Sequence, residues 1–206
     1  MMIPKTFLVI FIFSIFYALL ELLKRRSGIK REYTRKIAHI ASAILIISLY
    51  FFINKMEFII ITSIFTIFFA ISYSKKFLDS IHMQNYTTFG EIFYPFSLVL
   101  LGTFYFDKPF IIISAIAIMG FADGISGIYN LQYKKRSFSG SLIFFLISNI
   151  VLLLTYTILI KSPAPLATFK IVFVSIIISI IEYVSHIGTD NLTVPISSAI
   201  LLSLMF

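Results

Sequence analysis

Eight apolar runs, separated only by short polar connections, take up nearly all of this 206-residue chain. They lie near 6–23, 37–53, 56–73, 92–106, 110–130, 141–160, 166–184 and 193–206. A helix that crosses a bilayer needs about 20 predominantly apolar residues. Several runs reach that length. The fourth and eighth are short, and are expected either to re-enter or to sit protected inside the bundle. Composition agrees: 59% of residues are hydrophobic and 13% charged, against roughly 45–50% and about 25% in soluble domains. The expected fold is all-α, a polytopic transmembrane helix bundle of about seven or eight spans. It forms a single domain over 1–206, with an anchor helix and basic loop at 1–34 and the core at 35–206. The first run stops at Lys24, Arg25 and Arg26 with no small-residue cleavage site, so it reads as an anchor and not as a removed signal peptide. No space is left for a soluble catalytic domain, so chemistry falls to helix ends and short loops. The absence of cysteine excludes disulfides, thiolate metal sites and Cys nucleophiles.

Orientation follows from the cations. Of the 17 Lys and Arg residues, twelve fall in the odd-numbered connections, among them Arg35, Lys36, Lys134, Lys135 and Arg136. The even-numbered connections hold Lys55, Lys108 and Lys161. Cytoplasmic loops carry the excess of positive charge, so the odd loops are expected on the cytoplasmic side. The chain is then an integral protein of the plasma or inner membrane.

Ionisable residues within or beside apolar spans are expensive and mark candidate sites. Arg35, Lys36 and His39 share one face at the opening of the second run, where cations serve either orientation or an anion. Gly90, Glu91, Tyr94 and Pro95 form the mouth of the fourth. There the carboxylate suits a first helical turn, and the proline breaks the backbone ladder. Gly120, Gly124 and Gly127 recur at helical spacing, so a neighbouring backbone is expected to approach them closely. Asp123 and Asn130 lie beside that stripe. Asp123 has no cation next to it in sequence, so its partner comes from elsewhere, and a divalent cation suits an oxygen-only site. Lys134 to Ser141 joins three cations to Ser139, Gly140 and Ser141 at a helix start, a phosphate cradle or a positive-inside signal. Glu182 and His186 are a turn apart, and Asp190 and Asn191 open the last run in a polar turn. On the charge-derived topology all these clusters sort to the cytoplasmic side.

The motifs R-K-I-A-H, G-E-I-F-Y-P, A-D-G-I-S-G, K-R-S-F-S-G-S and D-N-L-T-V-P, in this order from Arg35 onward, resemble the CTP-dependent polyprenol and phytol kinases. Relatives of that family include dolichol kinase and CTP-dependent diacylglycerol kinase, in a superfamily shared with phosphatidate cytidylyltransferase. The longer cytidylyltransferase signature with Asp-Arg-x-x-Asp is absent. Departures from the kinase pattern are Arg136 between Lys135 and Ser137, Ser139 where Glu is common, and Tyr129-Asn130. The resemblance implies transfer of the γ-phosphoryl group of CTP to a membrane-embedded alcohol: phytol, a polyprenol or dolichol, or diacylglycerol. It implies Mg²⁺ on Asp123 and Asp190, with Asn191 nearby. Lys36, Lys135 and Arg136 would hold the triphosphate, and Ser139, Gly140 and Ser141 would donate to it. His39 or Glu91 would orient or deprotonate the alcohol. The implied partners are the bilayer, the lipid alcohol and the nucleotide, with no nucleic acid; a homodimer is compatible with the chain. Cytidylyl transfer to phosphatidic acid and a small ion or solute transporter are the rival readings.

Overall fold

Each apolar run becomes a helix. The computed structural model describes residues 3–76, 78, 80–81, 88–133, 137–161, 165–186 and 188–206, and among these there is no strand. The helices are α1 (Ile3–Ser27), α2 (Arg31–Tyr50), α3 (Lys55–Lys75), α4 (Gly90–Tyr105), α5 (Pro109–Ala117), α6 (Asp123–Asn130), α7 (Phe138–Leu159), α8 (Pro165–Val184) and α9 (Asp190–Met205). A π-helical turn, Ile118–Ala122, joins α5 to α6 without a break, and a 3₁₀ turn at Leu131–Tyr133 follows. Five rods are long and apolar enough to cross a membrane: α1, α3, the α5–α6 rod, α7 and α8. Their outward faces carry large apolar side chains such as Phe7, Phe11, Ile67, Leu154 and Phe169, all exposed, as a surface that meets lipid requires.

Local chemistry sets the helix ends. Asn54 and Glu57 form a reciprocal capping box at the start of α3: the Asn54 side chain accepts from the Glu57 N–H and the Glu57 carboxylate from the Asn54 N–H, both at 2.9 Å. Pro109 opens α5, where a missing N–H costs nothing. Ser137 caps α7, its Oγ accepting from the Gly140 N–H at 3.0 Å. Helix α2 begins at Arg31, before the apolar run does, so Arg35 and Lys36 lie one turn inside it.

The α5–α6 rod is the axis of the bundle. In its most apolar stretch 78% of residues are buried, against 22–33% for the other four long rods. Helices α2, α7 and α9 pack around it, α4 lies between α3 and α9, and α8 covers α7 and α9. At 16 residues each, α4 and α9 are about 24 Å long, less than a hydrocarbon core of roughly 30 Å. They pack against each other, which is the protected arrangement their short runs call for.

The glycine stripe does what its spacing predicts. A Cβ on Gly120 would collide with the Ala43 Cβ, one on Gly124 with Ile40, and one on Gly127 with the Lys36 side chain. Helix α2 therefore lies directly on the stripe. The bare surface at Gly127 is the channel through which Lys36 reaches its partner.

Candidate functional site

Four rods bring polar ends together at one end of the bundle. From α2, the Lys36 ammonium donates to the Asp123 carboxylate at 2.7 Å and lies 3.3 Å from the Asp123 carbonyl oxygen. This is a buried ion pair, with 13% of the Lys36 side chain and 3% of the Asp123 side chain exposed. Asp123 is the first residue after the π turn, and π turns re-aim side chains where they interrupt α-helices. The partner that Asp123 needed is thus a lysine, 87 residues away in sequence.

Asn191, in the first turn of α9, ties three elements together. Its side-chain NH₂ donates to the Gly90 carbonyl at 2.6 Å and faces His39 Nε2 at a longer 3.5 Å. The Gly90 oxygen only accepts, so the amide nitrogen must point there. The contact with His39 Nε2 is at the limit of hydrogen-bonding distance, and its donor and acceptor roles follow the tautomer of the ring. His39 is 6% exposed, and its Nδ1 has no hydrogen-bond partner among the described residues; nor has Asn191 Oδ1. His39 also meets Tyr94 edge-on, with ring centroids 4.9 Å apart.

The turn before α9 fits tightly on α4. Gly188 has φ +80°, in the left-handed region, and a Cβ there would meet Thr88 Oγ1 and the Gly90 backbone. Helices α4 and α9 also share a proline at the same depth. Pro95 and Pro195 each remove one backbone N–H donor, one turn into α4 and α9. Arg35, His39, Ser42, Glu91 and Tyr94 line one small pocket.

Lys36, His39, Glu91, Asp123 and Asn191 therefore lie at the same end of the bundle. Asp190 is buried at the head of α9, where its Oδ1 accepts from the Asn191 N–H at 3.0 Å. Among the described residues no three His, Asp or Glu side chains form a ready-made metal cluster. Two carboxylates plus phosphate oxygens are a usual donor set for Mg²⁺; in this structure the Asp123 carboxylate is engaged by Lys36. Lys135 and Arg136 lie outside the described residues. Ser139 is exposed, while the Gly140 N–H is taken by the Ser137 cap. The Ser141 hydroxyl lies 3.4 Å from the Glu182 carboxylate of α8. Asn130 accepts from the Ser137 N–H at 3.1 Å and from its hydroxyl at 2.8 Å, which pins the start of α7 to the end of α6. Helix α8 ends at Val184, so Glu182 and His186 do not share a helical face.

Arg35 and Tyr94, each named in a sequence cluster but given no role there, line one pocket with His39, whose ring meets Tyr94 edge-on. The π turn has no sequence mark beyond Gly120.

No family model matches the chain, and no solved structure matches it. It is similar to a curated protein, the phytol kinase of Synechocystis sp. (strain ATCC 27184 / PCC 6803 / Kazusa), at 28% identity over 197 residues, covering 88% of this chain and 82% of that protein.

Proposed function

We propose that this chain is a membrane-embedded phosphotransferase that moves the γ-phosphoryl group of CTP to the hydroxyl of a lipid alcohol at the cytoplasmic face. One observation carries the reading: a buried Lys36–Asp123 pair stands beside His39 and Asn191 at the ends of four otherwise apolar rods. A bundle that only had to pack would not bury these groups. Likeness to a phytol kinase over most of the chain supports the same reaction class.

Phosphoryl transfer is mostly positioning and charge neutralisation. In this reading Lys36 turns from Asp123 to the triphosphate when the nucleotide arrives, joined by Lys135 and Arg136, with Ser139 beside them. Asp123 and Asp190 would hold Mg²⁺, which would supply neutralisation of charge on the transferring group. The alcohol oxygen bonds to the γ-phosphorus, the bond from that phosphorus to the β-phosphate bridge oxygen breaks, and CDP leaves. His39, with Nδ1 protonated in this reading, orients the alcohol by donating to its oxygen. The hydroxyl proton goes to Glu91, across the same pocket. Asn191 positions His39, and Gly140 serves the helix cap.

The test is turnover by the purified protein with phytol, farnesol, dolichol and dioleoylglycerol, each against the four nucleoside triphosphates with and without EDTA. A lipid monophosphate formed with CTP and lost with EDTA is the expected result. Glu91→Gln should then lower kcat by about 100-fold or more, the usual share of a general base. Equal use of all four nucleotides would sink the CTP assignment, and no phosphorylated alcohol from any combination would sink the reading.

A further inference from the structure

Helix α1 meets the site at its edge. It is the least enclosed of the five long rods, 22% buried over its most apolar stretch, yet it carries a buried carboxylate, Glu21, near its basic end. One Glu21 oxygen accepts from Arg25 Nε and the other from the Ser80 N–H, both at 2.9 Å. The Ser80 carbonyl in turn accepts from the Thr34 hydroxyl of α2 at 2.7 Å. Both backbone groups of Ser80, a fully buried residue between α3 and α4, are therefore held by side chains of two other helices. The turn's own bond, from the Ile81 N–H to the Leu78 carbonyl, is a long 3.4 Å, so the turn does little to hold itself. A buried N–H without an acceptor is costly, and a carboxylate is the strongest acceptor a side chain offers.

This clamp stands next to the polar pocket. Ile81 follows Ser80 directly, and Tyr17 lies one turn before Glu21 on the same face of α1. Both line the pocket of Arg35, His39 and Glu91, while Glu21 is set back from it. Pairing with Arg25 does not by itself account for the buried carboxylate. The Arg25 side chain is 64% exposed, and an ion pair so open to solvent is worth little.

We propose that Glu21 is a positioning residue: by holding Ser80 it fixes Tyr17 and Ile81 as two walls of the polar pocket, which makes α1 part of the site and not only an anchor. The task of the pocket rests on the function proposed above; the clamp itself does not.

Two measurements on the full chain in nanodiscs test it. The first is amide hydrogen exchange without substrates. Glu21→Ala should speed exchange in peptides that contain Ser80 and Ile81 about 10-fold or more, the scale set by losing one hydrogen bond to a charged group. Peptides of α7 and α8 should exchange as before. Glu21→Gln keeps an oxygen for the Ser80 N–H and should restore most of the protection, and Arg25→Ala should leave it unchanged. The second is steady-state kinetics with phytol and CTP. Glu21→Ala should raise KM for the alcohol about 10-fold while KM for CTP stays within about 2-fold, with Glu21→Gln close to wild type. Unchanged exchange at Ser80 would overturn the clamp. Faster exchange with both KM values unchanged, or with both raised together, would overturn the positioning role and leave Glu21 a structural residue. If Glu21→Ala fails to fold, Thr34→Val, which removes the other bond to Ser80 at nearly constant volume, decides by the same two readouts. Absence of turnover by the wild type with any alcohol would sink the proposed reaction and the pocket's task with it, while the exchange map would still decide the clamp.

Discussion

Asp123→Asn is expected to lower the turnover of lipid alcohol by about 1,000-fold or more, roughly 4 kcal/mol of transition-state stabilisation. The carboxylate is the proposed anchor for the nucleotide's metal, and in the resting protein it neutralises Lys36 at 2.7 Å. The substitution also leaves an ammonium buried without its counterion, and breaking a buried pair from one side costs about 3–5 kcal/mol of stability. A fall in activity alone would therefore not separate catalysis from folding. The double variant Lys36→Met, Asp123→Leu does, because replacing both members of a buried pair with apolar groups is often neutral or stabilising. It should unfold at or above the wild-type temperature in detergent and still show no turnover. A folded double variant with substantial activity would remove the pair from the site.

Gly120→Ala is expected to cost about 1–3 kcal/mol, the range for forcing an extra methyl into a packed core. The new methyl would occupy the place of the Ala43 methyl on α2, which is fully buried and cannot swing aside. The pairing is reciprocal, so Ala43→Gly in the same chain should restore most of the loss, and the double-mutant cycle should show a coupling of about 1 kcal/mol or more. Because α2 also carries Lys36 and His39, the single variant should lose activity along with stability. Additive effects without rescue would mean that α2 does not rest on the glycine stripe.

The fold was legible because each span declares itself by length and hydropathy, and the short loops force neighbours to alternate. The close approach at Gly120, Gly124 and Gly127 was legible too, since only glycine repeats at helical spacing leave such a surface. The partner of Asp123 was not. Its carboxylate has no cation beside it in sequence, and the structure supplies Lys36 from another helix. Asn191 read as a turn residue near phosphate. Its amide instead joins α9 to α4 and α2, because the φ +80° turn at Gly188 presses α9 onto Gly90. Gly140 read as a phosphate donor, yet Ser137, three residues before it, caps α7 with the same N–H. For Asp123 and Asn191 the residue types were visible, and the contacts they make span helices distant in sequence.

The central claim is that this bundle transfers the terminal phosphoryl group of CTP to a lipid alcohol. The most direct measurement follows the fate of label from α-labelled and γ-labelled CTP incubated with the purified protein, phytol and Mg²⁺. The proposed reaction puts the γ-label in a lipid monophosphate and the α-label in CDP. An α-label recovered in a CDP-lipid with release of pyrophosphate, or no transfer of either label to lipid, would contradict it.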